Sequence, residues 1–181
     1  MIQTIYDESP EELELGQNYV KISASVLKWL YNVPRNNEVA QRIKSDAFYL
    51  NISTNDDFYK FYKDNKEDIE FHFVVKGPTA RMKGVKDELS KLFPDVPLEE
   101  INTDKGYVFA KIDMKDSIYV DTVESRLRTS NANIKILYTG GIHRKWNETS
   151  GDVQNLYTVK DWKQAGDIIK FAQENDWWFK K

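Results

Sequence analysis

The two histidines are the residues best suited to acid–base chemistry near neutral pH, and the sequence does not combine them into a site. His72 lies in a predicted strand and His143 in a predicted loop, with no serine or carboxylate in a known constellation beside either. The pair Asp56 and Asp57 falls where helix capping explains it. Neither an HExxH motif nor an EF-hand loop is present. We therefore predict no catalytic residue, no metal and no cofactor, while an enzyme with dispersed residues stays open.

An aromatic stretch at residues 105–112, KGYVFAKI, offers binding chemistry. It partly resembles the signature of the RNA recognition motif, in which alternate aromatic side chains on the third strand stack on bases. The resemblance implies a platform made of Tyr107 and Phe109, with basic residues beside it. The candidate nucleic-acid-binding residues on the predicted sheet are Lys105, Tyr107, Phe109, Lys111 and His72.

The same stretch departs from that signature at three positions. Val108 stands where a small residue belongs, Ala110 replaces the larger aliphatic residue, and Ile112 stands where the last aromatic belongs. The first strand also offers His72 where an aromatic platform residue is usual. The alternative interpretation is that Tyr107 and Phe109 are ordinary buried strand aromatics, covered by the terminal helices. Single-stranded RNA or DNA is therefore one predicted partner class, and a plain core strand is the alternative.

Two polar segments could bind anions. The loop that follows Gly140 and Gly141 could hold phosphate and stack a base or a ring, and its candidate nucleic-acid-binding residues are His143, Arg144, Lys145 and Trp146. The predicted turn from strand to helix after Lys76 offers backbone N–H groups and side chains that could hold a phosphate, namely Thr79, Arg81 and Lys83. A surface connection and a capped helix with a basic edge are the alternatives for the two segments.

Composition excludes several classes of protein. The chain has no cysteine, so disulfides and thiol nucleophiles are absent, and a cytoplasmic location is expected. No stretch is apolar for the length of a membrane crossing, so we predict no membrane partner. A net charge of -3 gives no global attraction to nucleic acid, and any such binding needs a local patch. The frequent Asn, Lys, Ile and Tyr suggest an AT-rich bacterial or phage genome.

Hydrophobic periodicity predicts an α+β core over residues 69–139. The predicted strands are 69–75, 98–101, 107–114 and 134–138, and the predicted helices are 79–93 and 117–128. Residues 102–106, NTDKG, suit a hairpin turn between the second and third of these strands. The order β, α, β, β, α, β is that of the ferredoxin-like fold, and we expect that fold here.

Further elements are predicted on both sides of this core. They are a strand at 19–22, a helix at 58–66 with Phe58, Phe61 and Tyr62 as its buried stripe, and a last helix capped by Thr158 with Asp161. The tail Trp177–Phe179 is expected to dock on the core, because it would otherwise expose a large apolar patch. We predict a single domain, 1–181, with terminal elaborations at 1–68 and 140–181.

For function, the absence of catalytic motifs and the weak net charge favour a non-catalytic protein-binding regulator or inhibitor with an unidentified protein partner. A single-stranded nucleic-acid binder that uses the aromatic platform is the first alternative. An enzyme with an unrecognised site is the second.

Overall fold

The computed structural model describes residues 13–14, 18–26, 56–139 and 155–180. Its strands are β1 (Leu13–Glu14), β2 (Val20–Ser23), β3 (Phe71–Gly77), β4 (Leu98–Asn102), β5 (Ile112–Asp113), β6 (Ile118–Asp121), β7 (Ile134–Tyr138) and β8 (Leu156–Val159). Its helices are α1 (Asp56–Asn65), α2 (Thr79–Leu92), α3 (Glu124–Thr129) and α4 (Trp162–Glu174), with single 3-10 turns at Thr103–Lys105, Phe109–Lys111 and Trp178–Lys180.

Six strands form one sheet in the order β4-β3-β2-β6-β7-β8, and each neighbouring pair is parallel. The chain is therefore a mixed helix and strand protein, as predicted. The ferredoxin-like arrangement is not confirmed, because that fold is usually antiparallel. Strands β2 and β8, from outside the predicted core at 69–139, belong to the same sheet. The short strands β1 and β5 pair with each other separately, also in parallel. The single-domain prediction stays a prediction.

The third predicted strand, 107–114, is wrong except at Ile112–Asp113, and its hairpin turn is wrong. Asn102 ends β4, and its side-chain oxygen accepts a hydrogen bond of 2.9 Å from the backbone N–H of Asp104. Gly106 then takes the left-handed conformation, with φ 85°, which turns the chain away from β4. Residues 107–111 are coil and a 3-10 turn, and the side chains of Tyr107 and Phe109 pack against one face of the sheet in the smaller core. A local turn signal does not fix where the following chain goes.

The predicted helix at 117–128 is also wrong over its first half. Val120, Val123 and Leu127 have helical spacing, but Ile118–Asp121 form a strand and only Glu124–Thr129 are helical. Strand β6 pairs with β2 on one side and with β7 on the other. A central parallel strand is buried on both faces, so its continuous apolar run does not alternate and is easily mistaken for a helix.

Both faces of the sheet are covered within the described residues. One face packs against α1, α2 and α4 in the larger core, where Phe58 is fully buried and Tyr62 is 7% exposed, as predicted for α1. The opposite face packs against α3 and the segment 103–117. That smaller core contains Val74, Ile101, Tyr107, Phe109, Ile112, Met114, Tyr119, Leu127, Ala132, Leu137 and Leu156.

The C-terminal helix and tail largely follow the prediction. Asp161 caps α4, and its carboxylate accepts a hydrogen bond of 3.0 Å from the N–H of Gln164, whereas Thr158 lies in β8. Trp177 is 8% exposed and stacks on Tyr19, but Trp178 remains 45% exposed. None of the helices within the described ranges is long and apolar enough to cross a membrane.

Candidate anion-binding site at the topological switch point

The sheet order creates a switch point between β2 and β6. From β2 the described chain continues to β3 and β4 on one side, and from β6 it continues to β7 and β8 on the other. Helices α1 and α2 pack on one face of the sheet, and α3 packs on the other. In open parallel sheets, connections that leave in opposite directions open a crevice at the carboxyl ends of the strands, and ligands bind there.

Two serines mark the carboxyl end of β2. A helical turn begins at Ala24, directly after the strand. The hydroxyl oxygen of Ser23 accepts a hydrogen bond of 3.3 Å from the backbone N–H of Ser25, as an N-cap does. The two hydroxyl oxygens lie 2.9 Å apart. The strand therefore delivers two short hydroxyl side chains to the switch point.

Asp121 ends β6 opposite these serines and is fully buried. Its Oδ1 accepts hydrogen bonds from the Ser25 hydroxyl at 3.0 Å and from the N–H groups of Thr122 at 2.6 Å and Val123 at 3.2 Å. The Thr122 hydroxyl also donates to the Ser25 hydroxyl, at 2.8 Å. Asp121 thus joins the ends of β2 and β6, and its Oδ1 accepts three hydrogen bonds.

The second oxygen of Asp121 is also occupied. Tyr119 donates its hydroxyl to Oδ2 at 2.5 Å, and a guanidinium nitrogen of Arg126 lies 3.6 Å from the same oxygen. Burial, and then the Asp121 carboxylate, raise the pKa of Tyr119 well above its ordinary value, so the phenol remains a donor. Asp121 therefore accepts hydrogen bonds on both carboxylate oxygens and fixes the positions of the side chains that donate to it.

Two cationic side chains, those of Lys76 and Arg126, lie near the ring of Phe109. The Lys76 ammonium, at the end of β3, lies 5.9 Å from the centroid of the Phe109 ring, and the Arg126 guanidinium lies 5.7 Å from it. Burial and the Arg126 charge lower the pKa of Lys76, and Asp121 opposes them. Within the described part of the chain, Lys76 has no carboxylate within ion-pair distance. A half-buried ammonium that makes no direct ion pair within the described residues, next to a second cation, favours an anionic ligand.

The predicted aromatic platform is not exposed. Tyr107 and Phe109 are 2% and 7% exposed, in the smaller core, and Phe109 stacks on Tyr119 at 5.6 Å between centroids. Lys105 and Lys111 are exposed and lie off the sheet. Nothing described here tests nucleic-acid binding, which stays a prediction, but stacking of bases on these two rings would require both to leave the core.

His72 lies on β3, in a buried polar cluster away from the switch point. Its Nδ1 is 3.1 Å from the side-chain nitrogen of Asn18 and 3.6 Å from Oε2 of Glu99. The same carboxylate accepts a hydrogen bond of 2.8 Å from the ammonium of Lys21, and Lys21 and Glu99 are 0% and 5% exposed. The structure therefore does not bring His72 together with Tyr107 and Phe109 as a shared surface.

The predicted phosphate cradle at the start of α2 already holds a carboxylate. The N–H of Thr79 donates to Asp104 at 2.9 Å, and the side chain of Asn102 donates to the Thr79 hydroxyl, also at 2.9 Å. Asp104 thus supplies from within the chain the negative charge that the N-terminus of a helix attracts. Lys83 is exposed, and the side chain of Arg81 lies outside the described residues.

The remaining predicted donors cannot be placed. His143, Arg144, Lys145 and Trp146 lie outside the described residues. Among the residues that are described, no group of three or more His, Asp or Glu could hold a metal ion. Comparison of the chain with family models, curated proteins and solved structures finds no match.

Sequence reasoning missed the switch-point residues, and one signal could have found them. Ile118-Tyr119-Val120 is a short β-favouring run, followed at once by Asp121 and Thr122. Interpreted as a buried parallel strand, this pattern places a carboxylate and a hydroxyl at the carboxyl edge of a sheet. The helical spacing of Val120 and Leu127 concealed that signal.

Proposed function

We propose that this protein binds a phosphate-bearing small molecule at the switch point between β2 and β6. The strand order matches that of doubly wound dinucleotide-binding sheets, whose ligands sit at this position. The order alone is an analogy of fold, because similar folds support many functions. The observation that carries the proposal is Lys76, a half-buried ammonium that lies beside the Arg126 guanidinium and makes no direct ion pair within the described residues.

The hydroxyl groups at the same edge support recognition of phosphate oxygens. Ser25 and Thr122 bridge the two strands by donating their hydroxyl hydrogens within the chain, and rotation of either hydroxyl would let it donate to a phosphate oxygen instead. Arg126 presents a planar set of donors that suits the oxygens of a phosphate. A single phosphate group would then contact a cation from β3, a cation from α3 and hydroxyl groups from the ends of β2 and β6.

The hydrogen bonds of Asp121 favour a structural role for this carboxylate over a role as a nucleophile. Asp121 is the described carboxylate at the switch point, and both of its oxygens already accept hydrogen bonds. Using it as a nucleophile would break bonds that join two central strands. We therefore retain the non-catalytic function of the sequence prediction and add a ligand class to it.

Titration calorimetry with inorganic phosphate, pyrophosphate and a nucleoside triphosphate tests the proposal. We expect saturable binding that weakens about tenfold in Lys76→Met, because one charge-assisted contact is worth roughly 1.5 kcal/mol. Lys83→Met is the matched control, since Lys83 is an exposed lysine at the rival site on α2. Absence of saturable binding by all three anions contradicts the proposal. A loss of binding in Lys83→Met alone would assign the anion to the start of α2.

A protein-binding regulator or inhibitor remains the second candidate, and one observation favours it. Phe171 is 60% exposed and Trp178 is 45% exposed, and their rings meet edge to face at 5.7 Å. Exposed aromatic side chains of this kind are enriched in the energetic centres of protein interfaces. They form one contiguous patch on α4 and the tail, so a partner could bury both together.

The patch is tested by affinity purification from source cells with quantitative mass spectrometry. We expect a partner at fixed stoichiometry that is lost in the doubly substituted Phe171→Ser, Trp178→Ser protein. Val108→Ser is the control, because Val108 is 50% exposed and lies on the segment under the opposite sheet face. A partner that survives the double substitution, or that the control also loses, argues against this surface.

A further inference from the structure

The ammonium of Lys76 differs from the other lysines on the same face of the sheet. Lys21 is fully buried and bound to Glu99 at 2.8 Å, so its proton is held in an ion pair. Lys135 on β7 is partly buried, and burial alone lowers its pKa. Lys76 combines partial burial with a neighbouring cation, since Arg126 and Lys76 approach the same ring of Phe109.

An amine in these surroundings is a better candidate nucleophile than an exposed lysine. A lysine is activated when it is desolvated or placed next to another cation, because both disfavour the ammonium and leave more free amine. Burial and then the Arg126 charge lower the pKa of Lys76 in this way, and the Asp121 carboxylate opposes them only in part. Its position at the carboxyl end of β3, next to the switch point, also gives it a place beside a bound ligand.

We infer that Lys76 captures the carbonyl group of a phosphate-bearing aldehyde as a reversible imine. This inference rests on the proposed anion site, where Arg126 and the neighbouring hydroxyl groups hold the phosphate. The fixed phosphate brings the carbonyl carbon to the amine and converts the encounter into an intramolecular reaction.

The step balances without any oxidant or reductant. The lone pair of the Lys76 nitrogen attacks the carbonyl carbon, and a carbon–nitrogen bond forms. The carbonyl oxygen takes up the two hydrogens that the nitrogen loses and leaves as water, so that a carbon–nitrogen double bond remains. Addition of water reverses the step and returns the aldehyde and the free amine.

Pyridoxal 5′-phosphate is a suitable probe because it carries both an aldehyde and a phosphate. The intact protein is incubated with it, the imine is reduced with borohydride, and the modified lysines are identified by peptide mass spectrometry. We expect Lys76 to be modified first, and about tenfold faster than by pyridoxal without the phosphate, given the gain from holding the reactant in place. Lys135 is the internal control, and its modification should not depend on the phosphate.

Lys76→Arg separates this inference from the proposed function. It retains a cation, so we expect inorganic phosphate to bind within about threefold of the unchanged protein while the adduct at position 76 disappears. If phosphate binds but Lys76 reacts no faster than Lys135, the inference about the amine is wrong and the anion site stands. If phosphate does not bind and modification is spread over surface lysines, both are wrong.

Discussion

The buried ion pair between Lys21 and Glu99 gives the sharpest stability prediction. The two side chains are 0% and 6% exposed, and the ammonium and carboxylate are 2.8 Å apart. Burial lowers the pKa of Lys21, while the attraction of Glu99 raises it in part. Glu99→Gln keeps the shape of the side chain but removes its charge, and leaves a buried ammonium on a central strand.

The loss of folding stability in Glu99→Gln has an upper limit, because Lys21 can lose its proton and avoid a buried charge. Its ordinary pKa of 10.5 lies about 3.5 units above pH 7, and each unit corresponds to roughly 1.4 kcal/mol. Deprotonation thus limits the destabilisation at pH 7 to about 5 kcal/mol. Breaking one partner of a buried pair typically costs about 3 to 5 kcal/mol. Since the amide oxygen can still accept a hydrogen bond, we expect a loss of about 3 to 4 kcal/mol.

Urea unfolding measures this loss. With an m-value near 2 kcal/mol per molar, the midpoint should fall by roughly 1.5 to 2 M with the m-value unchanged. Combining Lys21→Met with Glu99→Leu removes both charges and should recover most of the loss, to within about 1.5 kcal/mol of the original stability. Lys60→Met is the control, because its ion pair with Asp64 is exposed and should leave the midpoint unchanged.

The loss in Glu99→Gln should shrink as pH rises. A lysine whose folded-state pKa lies below its unfolded value binds fewer protons when folded, so stability increases with pH across the interval between the two values. Without Glu99, the folded-state pKa of Lys21 falls further, which widens that interval toward neutral pH. A loss that matches the Lys60→Met control, or one that stays constant between pH 7 and about pH 10, would refute the argument.

Two further predictions concern single contacts. Tyr119→Phe removes a hydroxyl that donates to Asp121 at 2.5 Å, and both residues are fully buried. Urea unfolding should show that the free energy of unfolding falls by about 2 kcal/mol. An unchanged midpoint would mean that another donor takes the place of the hydroxyl. Gly166→Ala puts a Cβ 3.1 Å from the Phe61 ring, which packs against Trp162, so the thermal midpoint should fall despite the better helix propensity of alanine. A higher midpoint would show that the ring can move aside.

The sequence predicted well the strand whose apolar residues alternate and the helix whose two ends carry glycine or proline signals. Helix α2 was predicted at 79–93 and is observed at Thr79–Leu92, because Gly77-Pro78 and Phe93-Pro94 mark both ends. Strand β3 was recognised because Phe71, Phe73 and Val75 face the larger core in alternation. Such elements carry their own signal in the local sequence.

The direction of strand pairing carries no such signal. A turn-like sequence at 102–106 suggested an antiparallel hairpin, but the chain that follows β4 leaves the edge of the sheet and packs on one of its faces. The next strand of the sheet, β6, pairs with β2, nearly a hundred residues earlier in the chain. Long-range pairing depends on which faces must be buried together. Once β6 was taken for a helix, Asp121 no longer stood at a strand end, and the candidate site could not be derived.

The sheet face that packs against the smaller core carries several polar side chains, and their hydrogen bonds indicate why this chain retains buried charges. Lys21 and Ser23 on β2 alternate with apolar residues that face the larger core, as do Tyr119 and Asp121 on β6. Their hydrogen bonds join β2 to β4 through Glu99 and β2 to β6 through Ser25. Apolar residues of similar volume would often stabilise such positions equally well. What they would not supply is the fixed arrangement of hydroxyl groups at the carboxyl ends of β2 and β6, on which the proposed phosphate site depends.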